Sequence, residues 1–375
     1  MGTGSEMSIM IAGGGTGGHL FPGIAMAELF QKNTGTDKIT FVGTDHGLEA
    51  AVIPREGFGL EFIRAEGLVG KSLFEKVRAV YYLILSLFDS FQLISRYRPD
   101  IIIGSGGYAS FATVMAGYLR SVPTLILEQN SMPGLANRIL GKFATVNCVT
   151  YQESISYFPK GKTHLTGNPV REKVLRGSRT SALKLFGLDK SKFTVFIFGG
   201  SLGASSINKA VVESLQYLLD IRADIQFLHQ TGEKDYEYVR NAYRSFGYKG
   251  MISPFIYQMA EAYAVSDIII SRAGATTLAE ITSIGKASIL VPYPYAAANH
   301  QELNARKLQQ MKAAFMVLDR DLNGRKLAAL VKELYTSEQL RTEIQQNCRS
   351  LGQPQAANKI YGLAVSIAGR GKRNV

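Results

Sequence analysis

The chain is poor in the residues and segments that mark several classes of protein. Its 375 residues include only two cysteines, Cys148 and Cys348, in no pairing motif, which favours a reducing compartment and argues against a zinc site. The longest apolar stretch, Val80 to Phe88, is far shorter than the roughly 20 residues of a membrane-spanning helix. Because MGTGSEM lacks the basic and apolar regions of a signal peptide, we expect a cytosolic protein. Association with a membrane surface stays open.

Acidic residues are outnumbered as well. The chain has 30 Asp and Glu against 42 Lys and Arg, a formal net charge of +12, which favours a polyanionic partner such as nucleic acid, acidic lipid or a phosphorylated substrate. Nucleic acid is disfavoured because no stripe of basic and aromatic residues is present. With 46% hydrophobic and 19% charged residues, the composition is that of a folded protein, and its length favours two domains.

Short apolar runs alternate with helical patterns along the whole chain. The predicted strands are Met7–Ala12, Ile39–Val42, Ile101–Ile103, Thr124–Leu127, Phe193–Phe198, Ile225–Leu228, Ile268–Ile270 and Ser288–Val291, and the predicted helices include Pro22–Gln31, Ser206–Leu219, Thr276–Ile284 and Gln301–Met311. This alternation is typical of an α/β fold, in which helices cover both faces of parallel sheets.

Glycine clusters follow four of these strands. They are AGGGTGGHL, GSGGYAS, FGGSLGAS and SRAGATTLAE. Glycine permits close approach of the backbone to a ligand, and N–H groups at a helix start bind phosphate. The first cluster also fits the G-x-G-x-x-G fingerprint of NAD-binding proteins, but Asp45 is only loosely placed as the acidic partner. Four such turns indicate several phosphates or two phosphorylated ligands.

The first and third clusters begin two similar segments about one domain length apart. This repetition predicts two Rossmann-like halves, with a boundary near HLTGNPVREK, where Gly167 and Pro169 interrupt the pattern. Because ligands of open α/β sheets bind beyond the carboxyl ends of the strands, we expect the chemistry to take place between the two halves.

A set of motifs in this chain is more specific than the glycine clusters alone. GGGTGGHLFPGIAMA, GGYAS, LEQNSMPGLANRIL, GNPVR, FGGSLGAS, SRAGATTLAE and PYPYAAANHQELNA occur in this order between about residues 9 and 310. In these motifs the chain resembles the MurG family of N-acetylglucosamine transferases of peptidoglycan synthesis. The resemblance implies a GT-B fold, with two Rossmann-like domains whose parallel sheets face a central cleft.

The resemblance also implies that the two domains bind different substrates. We expect an N-terminal domain over 1–167 on the acceptor and membrane side, a donor-binding domain over 168–350, and a C-terminal helix within 351–375 that returns to the first domain and precedes a basic tail. The implied reaction moves N-acetylglucosamine from its UDP donor, with inversion, to the C4 hydroxyl of the muramyl sugar of lipid I. The product, lipid II, serves cell-wall biogenesis, cell shape and cell division.

Three other functions are alternatives to this one. A GT-B transferase with a different lipid acceptor is disfavoured by GGTGGH and EQN. A nucleotide-binding scaffold of the division machinery is disfavoured by the complete set of motif residues. An NAD dehydrogenase is disfavoured by the glycine loops of the second half.

The resemblance assigns site residues one by one. For the donor it implies Thr16, Gly17, Gly18, Asn130, Arg171, Ser201, Ile256, Ala275, Thr276, Thr277, Leu278, Ala279, Glu280 and Gln301, and for the acceptor pyrophosphate Gly14, Gly15, Gly106, Gly107 and Tyr108. Within the donor set, Arg171 would reach the nucleotide or its phosphates, Ile256 would contact uracil through its backbone, and Glu280 would accept from the ribose hydroxyls.

Two residues are candidates for the base that removes the acceptor proton. His19 is the first, because an imidazole suits proton transfer near neutral pH; its alternative role is to shape the loop. Glu128 is the second, and its alternative is to order the EQN loop. We expect no cofactor and no metal. The single D-x-D, Asp319 to Asp321, is better explained by capping of the following helix.

A lipid acceptor requires contact with a bilayer. The segment from Gly67 to Phe88 has helical apolar spacing with interspersed cations, which suits an anionic membrane surface; the alternative is an ordinary core-facing helix. The expected membrane contacts are Lys71, Leu73, Phe74, Lys76, Val77, Arg78 and Tyr81. We therefore expect a peripheral protein at the cytoplasmic face of the inner membrane. Cell-wall synthesis and division proteins are further candidate partners.

Overall fold

The chain is divided into two compact units. The computed structural model describes residues 7–65 and 73–371. Unit 1 consists of Met1–Arg171 and Gln355–Val375, and unit 2 of Glu172–Pro354. The chain therefore completes unit 2 between two separate segments of unit 1.

Unit 1 is built on a parallel sheet, which has seven strands in the described residues. Their order is β3-β2-β1-β4-β5-β6-β7. The strands are β1 (Ile9–Gly13), β2 (Ile39–Gly43), β3 (Gly59–Phe62), β4 (Ile101–Gly106), β5 (Thr124–Glu128), β6 (Val146–Val149) and β7 (Thr163–Leu165). The order reverses between β1 and β4, and such a switch point is where open α/β sheets bind ligands.

The helices of unit 1 cover both faces of this sheet. The first five are α1 (Gly17–Thr34), α2 (Leu48–Val52), α3 (Leu73–Tyr97), α4 (Tyr108–Leu119) and α5 (Leu135–Leu140), with 3-10 turns at Pro54–Glu56, Gln152–Tyr157 and Lys160–Lys162. Side chains alternate across β1: Ile9 and Ile11 belong to one buried cluster, and Met10 and Ala12 to another. This alternation is expected for a strand buried on both faces.

Unit 2 repeats the same architecture with a parallel sheet of six strands in the described residues, ordered β10-β9-β8-β11-β12-β13. The strands are β8 (Phe193–Phe198), β9 (Ile225–Gln230), β10 (Gly250–Ser253), β11 (Ile268–Ser271), β12 (Ala287–Leu290) and β13 (Phe315–Met316). The order reverses between β8 and β11. Unit 2 therefore has its own switch point.

Helices also surround the second sheet. They are α6 (Glu172–Leu175), α7 (Arg179–Phe186), α8 (Ser205–Ser214), α9 (Tyr236–Ser245), α10 (Met259–Val265), α11 (Ala275–Ile284), α12 (His300–Gln310), α13 (Gly324–Thr336) and α14 (Glu338–Leu351), with 3-10 turns at Leu215–Tyr217, Leu219–Ile221, Ala297–Asn299 and Asp319–Asp321. The apolar sides of α8, α9, α13 and α14 share one large buried cluster with β8, β9, β11 and β12.

The last helix, α15 (Ala356–Gly371), belongs to unit 1. Ile360 and Ala364 are fully buried in the cluster that also contains α1 and β1. The rings of Phe30 on α1 and Tyr361 on α15 lie 4.9 Å apart. The final helix thus completes the core of the first unit.

The α/β fold and the two Rossmann-like domains expected from the sequence are confirmed. Each predicted strand corresponds to an observed one, and Phe193–Phe198 agrees at both ends. Strands β3, β6, β7, β10 and β13 were not predicted. Helix α1 begins at Gly17, five residues before the predicted start, so Pro22 lies inside the helix.

A helix that crosses a bilayer must be both long and apolar. No helix in residues 7–65 and 73–371 meets both conditions.

Candidate functional site

The loops that follow β1 and β4 meet at the switch point of unit 1. Gly13 pairs with Gly106 in the parallel register. Gly106 and Gly107 have φ angles of 111° and 85°, a region that favours glycine. A Cβ on Gly107 would lie 3.0 Å from the carbonyl oxygen of Gly14, which disfavours any side chain there. Tyr108, half exposed, begins α4 immediately after this contact.

His19 lies where these two loops meet. It occupies the first turn of α1, which begins at Gly17 after the exposed N-cap residue Thr16. A Cβ on Gly106 would lie 2.3 Å from Nδ1 of His19, so the half-buried imidazole packs directly on the backbone at the end of β4. The structure therefore places His19 beside Thr16, Gly17 and Gly18 on one side and the second glycine loop on the other.

A buried carboxylate that the sequence analysis missed supports the first loop. Glu49, at the start of α2, is only 1% exposed. Its Oε2 accepts from the N–H of Gly15 at 2.7 Å, and its Oε1 accepts from the N–H and the hydroxyl of Thr44 at 2.9 and 2.8 Å. A Cβ on Gly14 or Gly47 would come within 2.3 Å of this carboxylate. Glu49 therefore fixes the loop, and the N–H of Gly15 is already engaged.

The acidic residue considered from the sequence has a different environment. Asp45, two residues after the end of β2, is exposed and contacts Nδ1 of its neighbour His46 at 2.8 Å. The hydrogen bond from His46 lowers the pKa of Asp45. The carboxylate near the end of β2 that reaches the glycine loop is Glu49, and it binds backbone rather than presenting itself to a ribose.

Glu128, the second candidate base, lies beneath the EQN loop. It is 3% exposed. Its Oε1 accepts from the N–H of Asn130 at 2.9 Å, and its Oε2 accepts from the N–H of Gly134 at 3.2 Å and from Asn137 at 2.9 Å. Burial raises the pKa of Glu128, although these hydrogen bonds oppose the change. The contacts favour its alternative role of ordering the loop that carries Asn130.

Arg171 is held by two carboxylates of unit 1. Its Nε donates to Glu28 at 3.1 Å and its Nη1 to Glu56 at 2.7 Å, while Nη2 contacts both. Although burial alone would lower it, hydrogen bonds to Glu56 and Glu28 raise the pKa of Arg171. A contact with a nucleotide, as the motif implies, would have to compete with these two partners.

The loops after β8 and β11 meet at the switch point of unit 2. Phe198 pairs with Ser271 in the parallel register. In the first of these loops, a Cβ on Gly203 would lie 2.1 Å from the carbonyl oxygen of Thr231, so the loop packs on the end of β9. Ser201 is half-buried, and α8 begins at Ser205.

Arg272 connects the second of these loops to its surroundings. Its Nη1 contacts Asp319 at 2.5 Å and the carbonyl oxygens of Val291 and Pro292 at 3.2 Å, and its Nη2 donates to the hydroxyl of Ser206 at 2.9 Å. Asp319 also accepts from that hydroxyl at 2.6 Å. Arg272 thus ties the ends of β11 and β12 to the first turn of α8.

The D-x-D segment does not cap the following helix, contrary to the sequence interpretation. Asn323 caps α13, because its side chain accepts from the N–H of Lys326. Asp319 is instead bound by Arg272 and Ser206. Within residues 7–65 and 73–371, no group of three or more His, Cys, Asp or Glu side chains is placed to hold a metal ion. Metal independence stays a prediction.

Helix α11 carries the donor residues from Ala275 to Glu280. Ala275, Thr276 and Leu278 are buried, the last at 1% exposure, so their side chains face the core and only their backbone is suited to a ligand. Thr277, Ala279 and Glu280 are half-buried. The hydroxyl of Tyr263 donates to Oε2 of Glu280 at 2.6 Å, which orients this carboxylate.

Two further predicted donor residues have well-defined partners. The N–H of Ile256 donates to Oε1 of Gln230 at 2.8 Å. Oε1 of Gln301 accepts from the N–H of Tyr293 at 3.0 Å. Each contact fixes one polar group, so that the carbonyl of Ile256 and the amide NH₂ of Gln301 are the groups suited to a ligand.

The predicted membrane contacts lie on or before α3. Lys71 lies outside the described residues, as do the side chains of Leu73, Phe74, Lys76 and Val77, although the last four belong to the helix. Arg78 and Tyr81 are exposed. The structure adds Val80, Ile84 and Phe88 to this exposed face, at 49%, 61% and 57% exposure.

Known proteins match the chain over nearly its whole length. Residues 9–148 match the glycosyltransferase family 28 N-terminal domain, and residues 194–360 match the glycosyltransferase family 28 C-terminal domain. A solved structure of MurG from Acinetobacter baumannii superposes with a TM-score of 0.72 at 28% identity, covering 96% of this chain and 99% of that one.

Two curated relatives carry the same printed name, UDP-N-acetylglucosamine–N-acetylmuramyl-(pentapeptide) pyrophosphoryl-undecaprenol N-acetylglucosamine transferase. The protein of Thermodesulfovibrio yellowstonii is 50% identical over 364 residues, which is 97% of this chain and 100% of that protein. The protein of Myxococcus xanthus is 41% identical over 361 residues, which is 96% of this chain and 93% of that protein.

We expect Glu49→Gln to loosen the first glycine loop. Three donors from Gly15 and Thr44 converge on Glu49, and an amide has one acceptor oxygen, so in either orientation a backbone N–H loses its acceptor. The free energy of unfolding should fall by about 1–3 kcal/mol, with faster hydrogen exchange at Gly15. Glu237→Gln, at an exposed pair with Arg240, is the control and should change little. Unchanged stability and exchange in Glu49→Gln would contradict this role.

Proposed function

Since this chain belongs to glycosyltransferase family 28, we propose that it transfers N-acetylglucosamine from UDP-N-acetylglucosamine to the C4 hydroxyl of the muramyl sugar of lipid I, giving lipid II. Lipid I is undecaprenyl-pyrophosphoryl-MurNAc-pentapeptide. The observation that carries this proposal is 50% identity over 97% of the chain to a transferase of that printed name. A transferase with a different lipid acceptor is not favoured by these relatives.

Unit 2 is suited to the donor. The starts of α8 and α11 lie at one switch point, because β8 and β11 are adjacent. N–H groups at helix starts stabilise negative charge, so they can offset the charge of the leaving diphosphate. We assign Glu280 to the ribose hydroxyls and the amide NH₂ of Gln301 to the sugar, since the contacts of Tyr263 and Tyr293 orient these two side chains.

Unit 1 is suited to the acceptor pyrophosphate. Gly14, Gly106 and Gly107 bring backbone together at the first switch point, and Tyr108 begins a helix there. The N–H of Gly15 donates to Glu49. Gly15 therefore shapes the loop and does not supply a hydrogen-bond donor to the pyrophosphate. We assign Asn130 to the sugar and diphosphate of the donor. Glu128 orders the loop that carries Asn130.

The transfer forms a bond between the acceptor O4 and the anomeric carbon of the donor sugar, while the bond to the diphosphate breaks and UDP leaves. The acceptor hydroxyl loses its proton in this step. We assign the base role to His19, because it is half-buried between the two glycine loops of unit 1, whereas Glu128 is engaged by its own loop.

The proposed reaction is tested by incubating the protein with labelled UDP-N-acetylglucosamine and a short-chain lipid I analogue, with EDTA present. We expect label to appear in a disaccharide product and UDP to be released in equal amount. A lipid that carries a different sugar serves as the control acceptor. Transfer to that control but not to the lipid I analogue would contradict the assigned acceptor.

His19→Ala should lower kcat by roughly a hundredfold or more, the usual contribution of a positioned general base. Donor affinity, measured by titration with UDP, should stay as in the wild type, because His19 lies outside the donor loops of unit 2. His164→Ala, at an exposed position on β7, is the control. An unchanged kcat would remove His19 as the base.

The outer face of α3 is suited to a membrane. Val80, Tyr81, Ile84 and Phe88 follow one side of the helix and are each about half exposed, while Ser90 on the opposite side is buried. Exposed apolar side chains beside cations bind anionic interfaces. We therefore assign the protein a peripheral position at the cytoplasmic membrane face, where the lipid acceptor resides.

Ile84→Glu combined with Phe88→Glu should weaken binding to vesicles that contain anionic lipid, because two carboxylates replace exposed apolar side chains and are repelled by the anionic headgroups. Activity on the short-chain acceptor should be retained. Tyr238→Glu, a half-exposed position on α9 of unit 2, is the matched control in a vesicle sedimentation assay. Equal loss of soluble-acceptor activity and vesicle binding would contradict the membrane assignment.

A further inference from the structure

A buried amide at the end of β9 connects two loops of unit 2. Gln230 is 3% exposed. Its Nε2 donates to the carbonyl oxygen of Gly200 at 2.8 Å, and its Oε1 accepts from the N–H of Ile256 at 2.8 Å. Gly200 belongs to the glycine loop after β8, and Ile256 to the segment between β10 and α10. These are the loops assigned to the diphosphate and to uracil.

The first contact fixes the orientation of one peptide of the glycine loop. In a trans peptide, the carbonyl of one residue and the N–H of the next point in opposite directions. The carbonyl of Gly200 accepts from Nε2 of Gln230 at 2.8 Å and also from the N–H of Gly203 at 3.1 Å, so the N–H of Ser201 is turned away from both donors. In that orientation it can donate to an anion.

The second contact determines which backbone group of Ile256 can form a hydrogen bond with the uracil ring. Its N–H is held by Gln230, and its side chain is 2% exposed. A backbone contact from Ile256 to the base therefore uses its carbonyl oxygen, which suits the N–H of a uracil ring and not a ring nitrogen that lacks hydrogen.

We propose that Gln230 is a positioning residue that sets both halves of the donor site at once. Its NH₂ group fixes the glycine loop after β8, which is assigned to the diphosphate. Its carbonyl oxygen fixes the segment with Ile256, which is assigned to uracil. An amide is the side chain that supplies one donor and one acceptor at adjacent positions. This inference rests on the proposed function, because it takes the donor to be a uridine diphosphate sugar.

The same strand provides a matched control. Gln226 is 2% exposed and binds backbone at both ends of its amide: it accepts from the N–H of Asp189 at 2.9 Å and donates to the carbonyl of Asp189 at 2.7 Å. These contacts lie at the opposite end of β9 from the loops assigned to the donor. Substitution at Gln226 therefore reports the structural cost of losing a buried amide.

The experiment compares Gln230→Met with Gln226→Met by calorimetric titration with UDP, uridine and inorganic pyrophosphate. Methionine has similar length and makes neither hydrogen bond. In Gln230→Met, loss of two hydrogen bonds should weaken UDP binding by about tenfold or more, with smaller losses for uridine and for pyrophosphate separately. Gln226→Met should bind all three as the wild type does, even where its stability falls by a similar amount.

Gln230→Glu tests the two hydrogen bonds of the Gln230 amide separately. An ionised carboxylate can still accept from Ile256 but cannot donate to Gly200, so pyrophosphate binding should weaken while uridine binding is retained. A protonated carboxyl regains the donor. The affinity of this variant for pyrophosphate, relative to that of the wild type, should therefore fall as the pH rises.

The outcomes distinguish this inference from the proposed function. A wild-type protein that binds no UDP would overturn the proposed function and this inference with it. A wild-type protein that binds UDP, together with a Gln230→Met variant that binds all three ligands as Gln226→Met does, would overturn only the role of Gln230.

Discussion

Contact between backbone segments at the two switch points is the constraint on which the rest of the structure depends. In each unit, a glycine loop that begins at the switch point lies directly against other backbone. Gly107 lies against Gly14 in unit 1, and Gly203, in the loop after β8, lies against Thr231 at the end of β9 in unit 2. Only glycine fits such positions, and the resulting loops expose N–H groups at the starts of helices. The site therefore consists largely of backbone.

Backbone loops of this kind need support, and buried or partly buried polar side chains supply it. Glu49 holds the first loop of unit 1, Glu128 the EQN loop and Gln230 the first loop of unit 2. The partly buried Arg272 ties the second loop of unit 2 to the carbonyl oxygens of Val291 and Pro292. Each is matched to backbone groups through its own hydrogen-bonding pattern, because an unpaired polar group in the interior is costly. None of these four needs to touch a substrate to determine the shape of the site.

The features that could be predicted from the sequence are those that depend on a local residue pattern. The buried central strand Phe193–Phe198 was found to the residue because a strand buried on both faces appears as an apolar run. Strands β3, β7, β10 and β13 were missed because they lie at sheet edges, are short, and are partly exposed. The support of the loops was missed for a different reason: Glu49 binds a residue 34 positions away, and no local pattern records such a pair. Arg171 was recognised within its motif, but its partners are 115 and 143 positions away.

The return of α15 to unit 1 has a consequence for synthesis on the ribosome. Ile360 and Ala364 are fully buried in the core of the first unit, yet they are translated after the whole of unit 2. Unit 2 is continuous in the chain, so it can finish folding while the nascent first unit still lacks one of its covering helices. The unit that is begun first is thus the one completed last, and its uncovered apolar surface is available to chaperones during that interval.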